Sequence, residues 1–393
     1  MHACFSGVFP FLSTSVILCG LTFLPVCGSA EDPGMGITEE QLCITFPRDG
    51  DVLDHNDGNE TEEGLEIVVR GTTPGTVNEV RVNGMETPCS GGGFSLPLRI
   101  TQPRERIVVE SGGERVEAGI YWHKASRKQY RFSVDDNIQF LKDLGSNPGR
   151  YASLFDHWYL AFWRDIHVTY GTKVHFNIYY QTDDFDLTQM PDTWKDEWRK
   201  NASWIRLSFH ALQDKPDRPY RNARYAQIAH DHDLVCSEIR RFAGAEVMSS
   251  TTTVHWAECP KEGVLALRDR GIKNLIGLFN PLEVPHTTRY YLTPEQSAYC
   301  DTRPAWHDHE TGITFIPCAM VVNSFKVEEI VPRLEKRAQS PHTAELVELL
   351  IHEQYFREEL SYYQPDVMEK VKTALEWVAN NGYEPTFWSD TLF

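Results

Sequence analysis

The first 30 residues contain no Asp, Glu, Lys or Arg, and Phe, Leu, Val and small residues dominate the run from Val8 to Val26. Gly28, Ser29 and Ala30 then give a small-residue cleavage context before Glu31 and Asp32 open a polar stretch. This pattern reads as a signal peptide over residues 1–30, which places the mature chain in a secreted, periplasmic or cell-envelope compartment. An uncleaved anchor is the alternative, because the apolar run approaches the length a bilayer needs. No later run is apolar enough to span, so no membrane span is expected in the mature chain. Cysteine is sparse, and no Cys-x-x-Cys pair occurs. Cys43, Cys89, Cys236, Cys259, Cys300 and Cys318 follow the leader at spacings too wide for a disulfide scaffold or a cysteine zinc site, and Cys43 with Cys89 is a candidate bridge. Basic residues are also short: Lys and Arg number 38 against 56 Asp and Glu, a formal net charge of -18. That balance repels polyanions and argues against nucleic acid as a partner, leaving neutral or cationic glycans open.

Convincing helices are missing between residues 40 and 122. Leu65, Ile67 and Val69 alternate with Glu66 and Val68, Val80 and Val82 lead into Asn83-Gly84, and Gly91 to Gly93 mark another turn. The spacing predicts a small all-β sandwich over 40–122, similar to the immunoglobulin-like modules that precede catalytic domains in carbohydrate-active enzymes. A chain of 393 residues exceeds what one core organises, so a second domain is expected.

From Tyr130 the period changes and strand-like runs alternate with helical ones. The candidate strands are Tyr130 to Asp136, Lys173 to Gln181, Trp204 to His210, Thr251 to Ala257, Asn274 to Phe279, Thr314 to Val322, Leu349 to Tyr355 and Pro385 to Asp390. This predicts an α/β fold, a (β/α) barrel of seven or eight strands over 128–393. The last helix is marked by Pro365, by Val367, Val371, Leu375 and Val378 on one face, and by Gly382 as its stop. Residues 280–312 lack periodicity and read as loops over the barrel mouth.

Barrel enzymes place their chemistry at the C-terminal ends of the strands. Polar residues of the right kinds stand there: Asp135 and Asp136 end the first candidate strand, His210 ends the third with Asp214 four residues on, His255 lies in the fourth, and His352 ends an apolar run late in the chain. Carboxylates and imidazoles are ligands for zinc or a similar divalent ion, and a catalytic site needs three protein ligands and one open position. Neighbouring aspartates point to opposite faces of a regular strand, which allows one to ligate metal while the other takes a proton. His352, with a baseline pKa near 6.5, suits proton donation.

The stretch Phe132-Ser133-Val134-Asp135-Asp136-Asn137 resembles the first motif of the polysaccharide deacetylases of carbohydrate esterase family four, with Asn137 where glycine is usual. His210 and Asp214 resemble its second motif, with Asp214 in place of a second histidine, and Leu349-Leu350-Ile351-His352 resembles its late one. The resemblance implies Asp135 as general base, His352 as general acid, and a divalent ion, zinc first, held by Asp136, His210 and either Asp214 or His255. The family's arginine partner for the base has no match. The implied reaction removes N-acetyl or O-acetyl groups from an acetylated polysaccharide or oligosaccharide; a glycan-binding protein on an inactive barrel is the alternative.

Blander readings stand beside these. Asp135 and Asp136 could cap the helix that follows, and His255 could be a core histidine beside Trp256. His230 and His232 sit two apart on a helix and do not face one point, so they are not taken as ligands; His307 and His309 are expected at the surface. Of Trp204, Trp256, Trp306, Tyr355 and Trp388, some could form a sugar platform, but more are expected in the core.

Overall fold

The computed structural model describes residues 41–279 and 289–391, and the expected leader lies outside them. Seven parallel strands build the larger part: β1 Gln129–Asn137, β2 Val174–Tyr179, β3 Ile205–Ala211, β4 Thr251–Thr252, β5 Asn274–Gly277, β6 Ile313–Val321 and β7 Leu346–His352. Their order is β3-β2-β1-β7-β6-β5-β4. The free edges meet through the isolated parallel bridge Leu207 to Met248, which leaves the barrel nearly closed. Helices follow the strands: α1 Gln139–Ser146 and α2 Trp158–Tyr170, α3 Lys195–Lys200, α4 Tyr225–Phe242, α5 Lys261–Arg268, α6 Pro294–Cys300, α7 Val327–Arg337 and α8 Val367–Asn380. The fold is a (β/α) barrel with seven staves.

Alternation along the strands sorts the side chains. On β1, Tyr130, Phe132 and Val134 join the main apolar core, while Arg131, Ser133 and Asp135 take the other face. On β2, Val174, Phe176 and Ile178 are core, and His175 and Asn177 face the polar interior with Ser208 of β3. Because all these residues are buried, the interior is a polar network rather than a void.

Several expectations need correction. Pro385 to Asp390 is no eighth stave: only Glu384–Pro385 pairs, beside the start of β1, and Trp388–Thr391 is helical. Thr251 to Ala257 pairs only at Thr251–Thr252 before the backbone turns sharply. The stretch after residue 288 holds α6 and a strand, Trp306–Asp308, antiparallel to β6. Residues 280–288 lie outside the described residues.

Residues 43–122 form nine strands, eight joined in one path and Asn59–Glu60 paired beside it, in two hydrogen-bonded layers that close on a shared core including Val69, Val82, Ile107 and Ile120. Cys89 is a free thiol, so the Cys43–Cys89 bridge is not formed. Residues 40–393 cluster as one compact unit. Trp306 Nε1 donates to the Asp49 carbonyl (2.8 Å), and buried His307 packs on Tyr121 at 4.5 Å between ring centroids. His307 therefore serves the seam with the β layer and is not at the surface, whereas His309 is exposed as expected, its Nε2 2.9 Å from the Gly119 carbonyl. No helix among the described residues is long and apolar enough to cross a membrane.

Candidate metal centre

Asp135 and Asp136 do not diverge as a regular strand would require. Asp136 has φ 62°, in the left-handed region, and the β1–β2 register shifts between Val134 and Asn137. Aspartate tolerates this conformation better than most residues, and the cost of such backbone is of order 1–3 kcal/mol. Asn137 holds the distortion, its Nδ2 donating to the carbonyls of Val134 (2.5 Å) and Asn177 (3.0 Å). The twist brings both carboxylates to the same end of the barrel.

There Asp136 meets His210 and His255. Asp136 Oδ1 lies 3.0 Å from His210 Nε2 and 3.2 Å from His255 Nδ1, and the two imidazole nitrogens are 3.2 Å apart. Ligand atoms about 2.1 Å from one tetrahedral ion stand about 3.4 Å from each other, so this triangle matches the face of a zinc-type site. His255 reaches it because the chain folds back directly after it: Trp256 and Ala257 both have positive φ, 65° and 46°.

The surrounding contacts orient the ligands. His210 Nδ1 donates to the Thr253 carbonyl (2.5 Å), which fixes the ring with Nε2 turned toward Asp136. Gln354 Nε2 donates to Asp136 Oδ2 (2.7 Å), which turns Oδ1 inward. Burial works against charge on Asp136, but hydrogen bonds from His210 and His255 outweigh it and hold its pKa well below the usual carboxylate range. Asp135 behaves oppositely: burial dominates and its pKa is raised, although His210, His352 and the Asn177 amide, which donates to its Oδ1 at 2.5 Å, pull the other way. Two adjacent carboxylates thus have divergent acidities, the usual sign of divided roles.

His352 is the register partner of Asp135 across β1 and β7, and its charge acts on both aspartates. Its Nδ1 is 2.9 Å from Asn323 Oδ1, which leaves the other ring nitrogen for exchange. Asp214 stands apart from this group: its side chain is 59% exposed, and its nearest approach is Oδ1 at 3.8 Å from His255 Nε2. Among the described residues, the side chains close enough to share a metal ion at this end are Asp136, His210 and His255, without Asp214.

Sequence reasoning missed Tyr179. Its hydroxyl donates to Asp136 Oδ1 and sits 2.9 Å from His255 Nδ1, at the edge of the ligand triangle. A signal existed, since His175, Asn177 and Tyr179 repeat every second residue along β2, opposite a purely apolar face. Of the aromatic candidates, Trp204, Trp306 and Trp388 are buried, whereas Tyr355 lies 5.9 Å from His352 and Trp256 lies 6.0 Å from His255 between ring centroids. Arg218 stacks on Trp256 and pairs with Glu258, which puts a cation at the same rim.

No protein-family model matches this chain, and no curated protein matches it. Solved structures similar to it include a 4-alpha-glucanotransferase from Thermococcus litoralis, at TM-score 0.45 and 11% identity over 68% of this chain and 40% of that one. They also include the carbohydrate deacetylase Agd3, at TM-score 0.36 and 9% identity over 82% and 64%. A CE4 family pseudoenzyme from Bacillus anthracis is similar at TM-score 0.32 and 9% identity over 70% and 68%. This chain thus spans less than half the length of the glucanotransferase. All three scores lie below 0.5, and the functional reading rests on the site's own geometry.

Proposed function

We propose that this chain is a metal-dependent hydrolase that removes N-acetyl, or O-acetyl, groups from an acetylated polysaccharide or oligosaccharide, acting outside the cytoplasm after export by its leader. One observation carries the reading: Asp136, His210 and His255 converge to 3.0–3.2 Å at the C-terminal ends of the staves, with Asp135 and His352 register partners beside them. The motif resemblance around Asp135, His210 and His352 supports the same substrate class. A divalent ion held by that triad supplies Lewis acidity toward a carbonyl and acidifies water. Asp135, less acidic than its neighbour, takes the proton of the attacking water. His352 gives a proton to the departing amine or alcohol. Tyr355 and Trp256 flank the two histidines and offer apolar faces to a sugar ring. An immunoglobulin-like role for the β layer belongs to this proposal as a spacer or glycan contact.

The contact of Tyr179 with two of the three ligand residues favours a second reading, a glycan-binding barrel without turnover. Acetate release from acetylated chitooligosaccharides, with and without chelator, separates the two. Chelator-sensitive release supports the hydrolase, and glycan binding without any release from acetylated glycans supports the second reading.

A further inference from the structure

A second cluster of ligand-type side chains lies at the seam between the β layer and the barrel, beside the N-terminal end of β7, whose other end carries His352. Asp54 and Asp57 belong to the loop between the short strands Val52–Leu53 and Asn59–Glu60, and His342 belongs to the helical turn Pro341–Glu345 that leads into β7. One ligand atom from each lies within 4.8 Å of the others. Proximity of acidic groups alone would mean little. Here, however, Asp54 is 1% exposed, its Oδ1 accepts the Asn56 N–H at 2.7 Å, and its Oδ2 has no partner. His342 Nδ1 is likewise buried without a partner.

The charge balance points the same way. Four carboxylates with buried side chains gather at this seam, Asp51, Asp54, Asp57 and Glu345, with one buried guanidinium, Arg303, and the exposed imidazole of His55 3.8 Å from Glu345. Arg303 Nη2 takes Asp57 Oδ2 at 2.9 Å, and its Nε is 3.8 Å from Asp51. That leaves Asp57 Oδ1 facing His342 Nε2 at 3.8 Å, and it leaves Asp54 close enough to Glu345 for their charges to oppose each other. Buried carboxylates without a counter-charge are costly, and a cation between Asp54, Asp57 and His342 removes that cost.

We propose that Asp54, Asp57 and His342 bind a second divalent cation, of the zinc class, that staples the β layer to the barrel. An imidazole in the set favours a transition ion over calcium, whose sites are built from oxygen. Ligand atoms of such an ion stand about 3.4 Å apart, so the cluster closes through rotation of His342, whose side chain is partly exposed. The site is far along β7 from the Asp136 triad and needs no turnover to be tested.

The test is metal content per chain, by mass spectrometry, of the full protein loaded with zinc and freed of excess. Relative to wild type, His342→Ala and Asp54→Asn each lose one ion per chain, and the chelator-induced drop in melting temperature shrinks in both. Should His342→Ala fold poorly, His342→Gln and the isosteric Asp54→Asn carry the same readout. Unchanged metal content in Asp54→Asn and a folded His342 variant overturns the proposal. His210→Ala reports the other centre separately: if it retains all its metal while His342→Ala loses one ion, the hydrolase reading fails and the seam site stands.

Discussion

Glu353, the residue after His352, caps the helix that begins just past Asp136: its Oε2 accepts the N–H of Ile138 at 2.8 Å. The same carboxylate also takes the N–H of Gln139 (2.9 Å) and Phe140 (2.7 Å), and Ile138 itself offers no side-chain cap. One side chain therefore ties the segment carrying the proposed acid to the turn carrying the proposed base, satisfying orphan donors that a helix start always leaves. Glu353→Gln keeps the shape but sets an amide NH2 against an N–H. We expect a loss of about 1–3 kcal/mol in stability, and a fall in kcat larger than any change in KM. Denaturant unfolding and steady-state kinetics measure both; unchanged values for each would mean that Glu353 positions nothing.

The ligand assignment makes a sharper prediction. Asp136→Ala, His210→Ala and His255→Ala lose bound metal, while Asp214→Ala keeps it, since that carboxylate is exposed and outside the triangle. Asp135→Asn and His352→Ala keep metal and lose turnover by about 10²–10⁴-fold, the usual worth of a proton-transfer group. Metal analysis beside kinetics decides each case. Metal loss in Asp214→Ala with retention in His255→Ala would reverse the choice of third ligand.

Asn177 donates to Asp135 Oδ1 and so favours its ionised form, against the burial that raises its pKa. Asn177→Ala removes that donor, and the pKa of Asp135 rises further. A base must be ionised to work, so the acid limb of the kcat/KM profile moves to higher pH in the variant. A limb that stays in place would separate Asp135 from the base role.

Arg131 and Glu348 form an ion pair inside the barrel, Nη1 to Oε2 at 3.1 Å, and Glu348 also accepts from Ser133 Oγ and Trp388 Nε1, both at 2.7 Å. Burial nonetheless pushes Glu348 up to about 7 from its ordinary 4.5, despite the Arg131 charge. The folded state then holds this proton more tightly than the unfolded one. Its stabilising contribution is complete below about pH 4.5 and is lost as pH rises through about 7, by up to about 3 kcal/mol. Urea unfolding at pH 5 and pH 7.5 should show that fall, and Glu348→Gln, which mimics the protonated form, should flatten it. Glu348→Leu removes the counter-charge of Arg131 at pH 7.5, where Glu348 is mostly ionised, and costs about 3–5 kcal/mol there.

The sequence by itself determined the parts of this protein that depend on local periodicity. Strand-like apolar runs alternating with helical ones marked five of the seven staves closely and a sixth three residues late, Leu349 to Tyr355 against Leu346–His352, and Asp135, Asp136, His210 and His352 were legible because each closes such a run. What it misjudged were segments whose pairing depends on distant partners, such as Pro385 to Asp390, whose residues suit a strand but find only two positions of pairing. Only the tertiary structure decided which side chain stands with Asp136 and His210, because the choice between Asp214 and His255 turns on left-handed backbone at Trp256 and Ala257 that no propensity announces for those residues. The same holds for the twist at Asp136, the reach of Tyr179 and the cap from Glu353. Each joins residues far apart in the chain, and such contacts are fixed by how the staves close on one another rather than by any pattern within a stave.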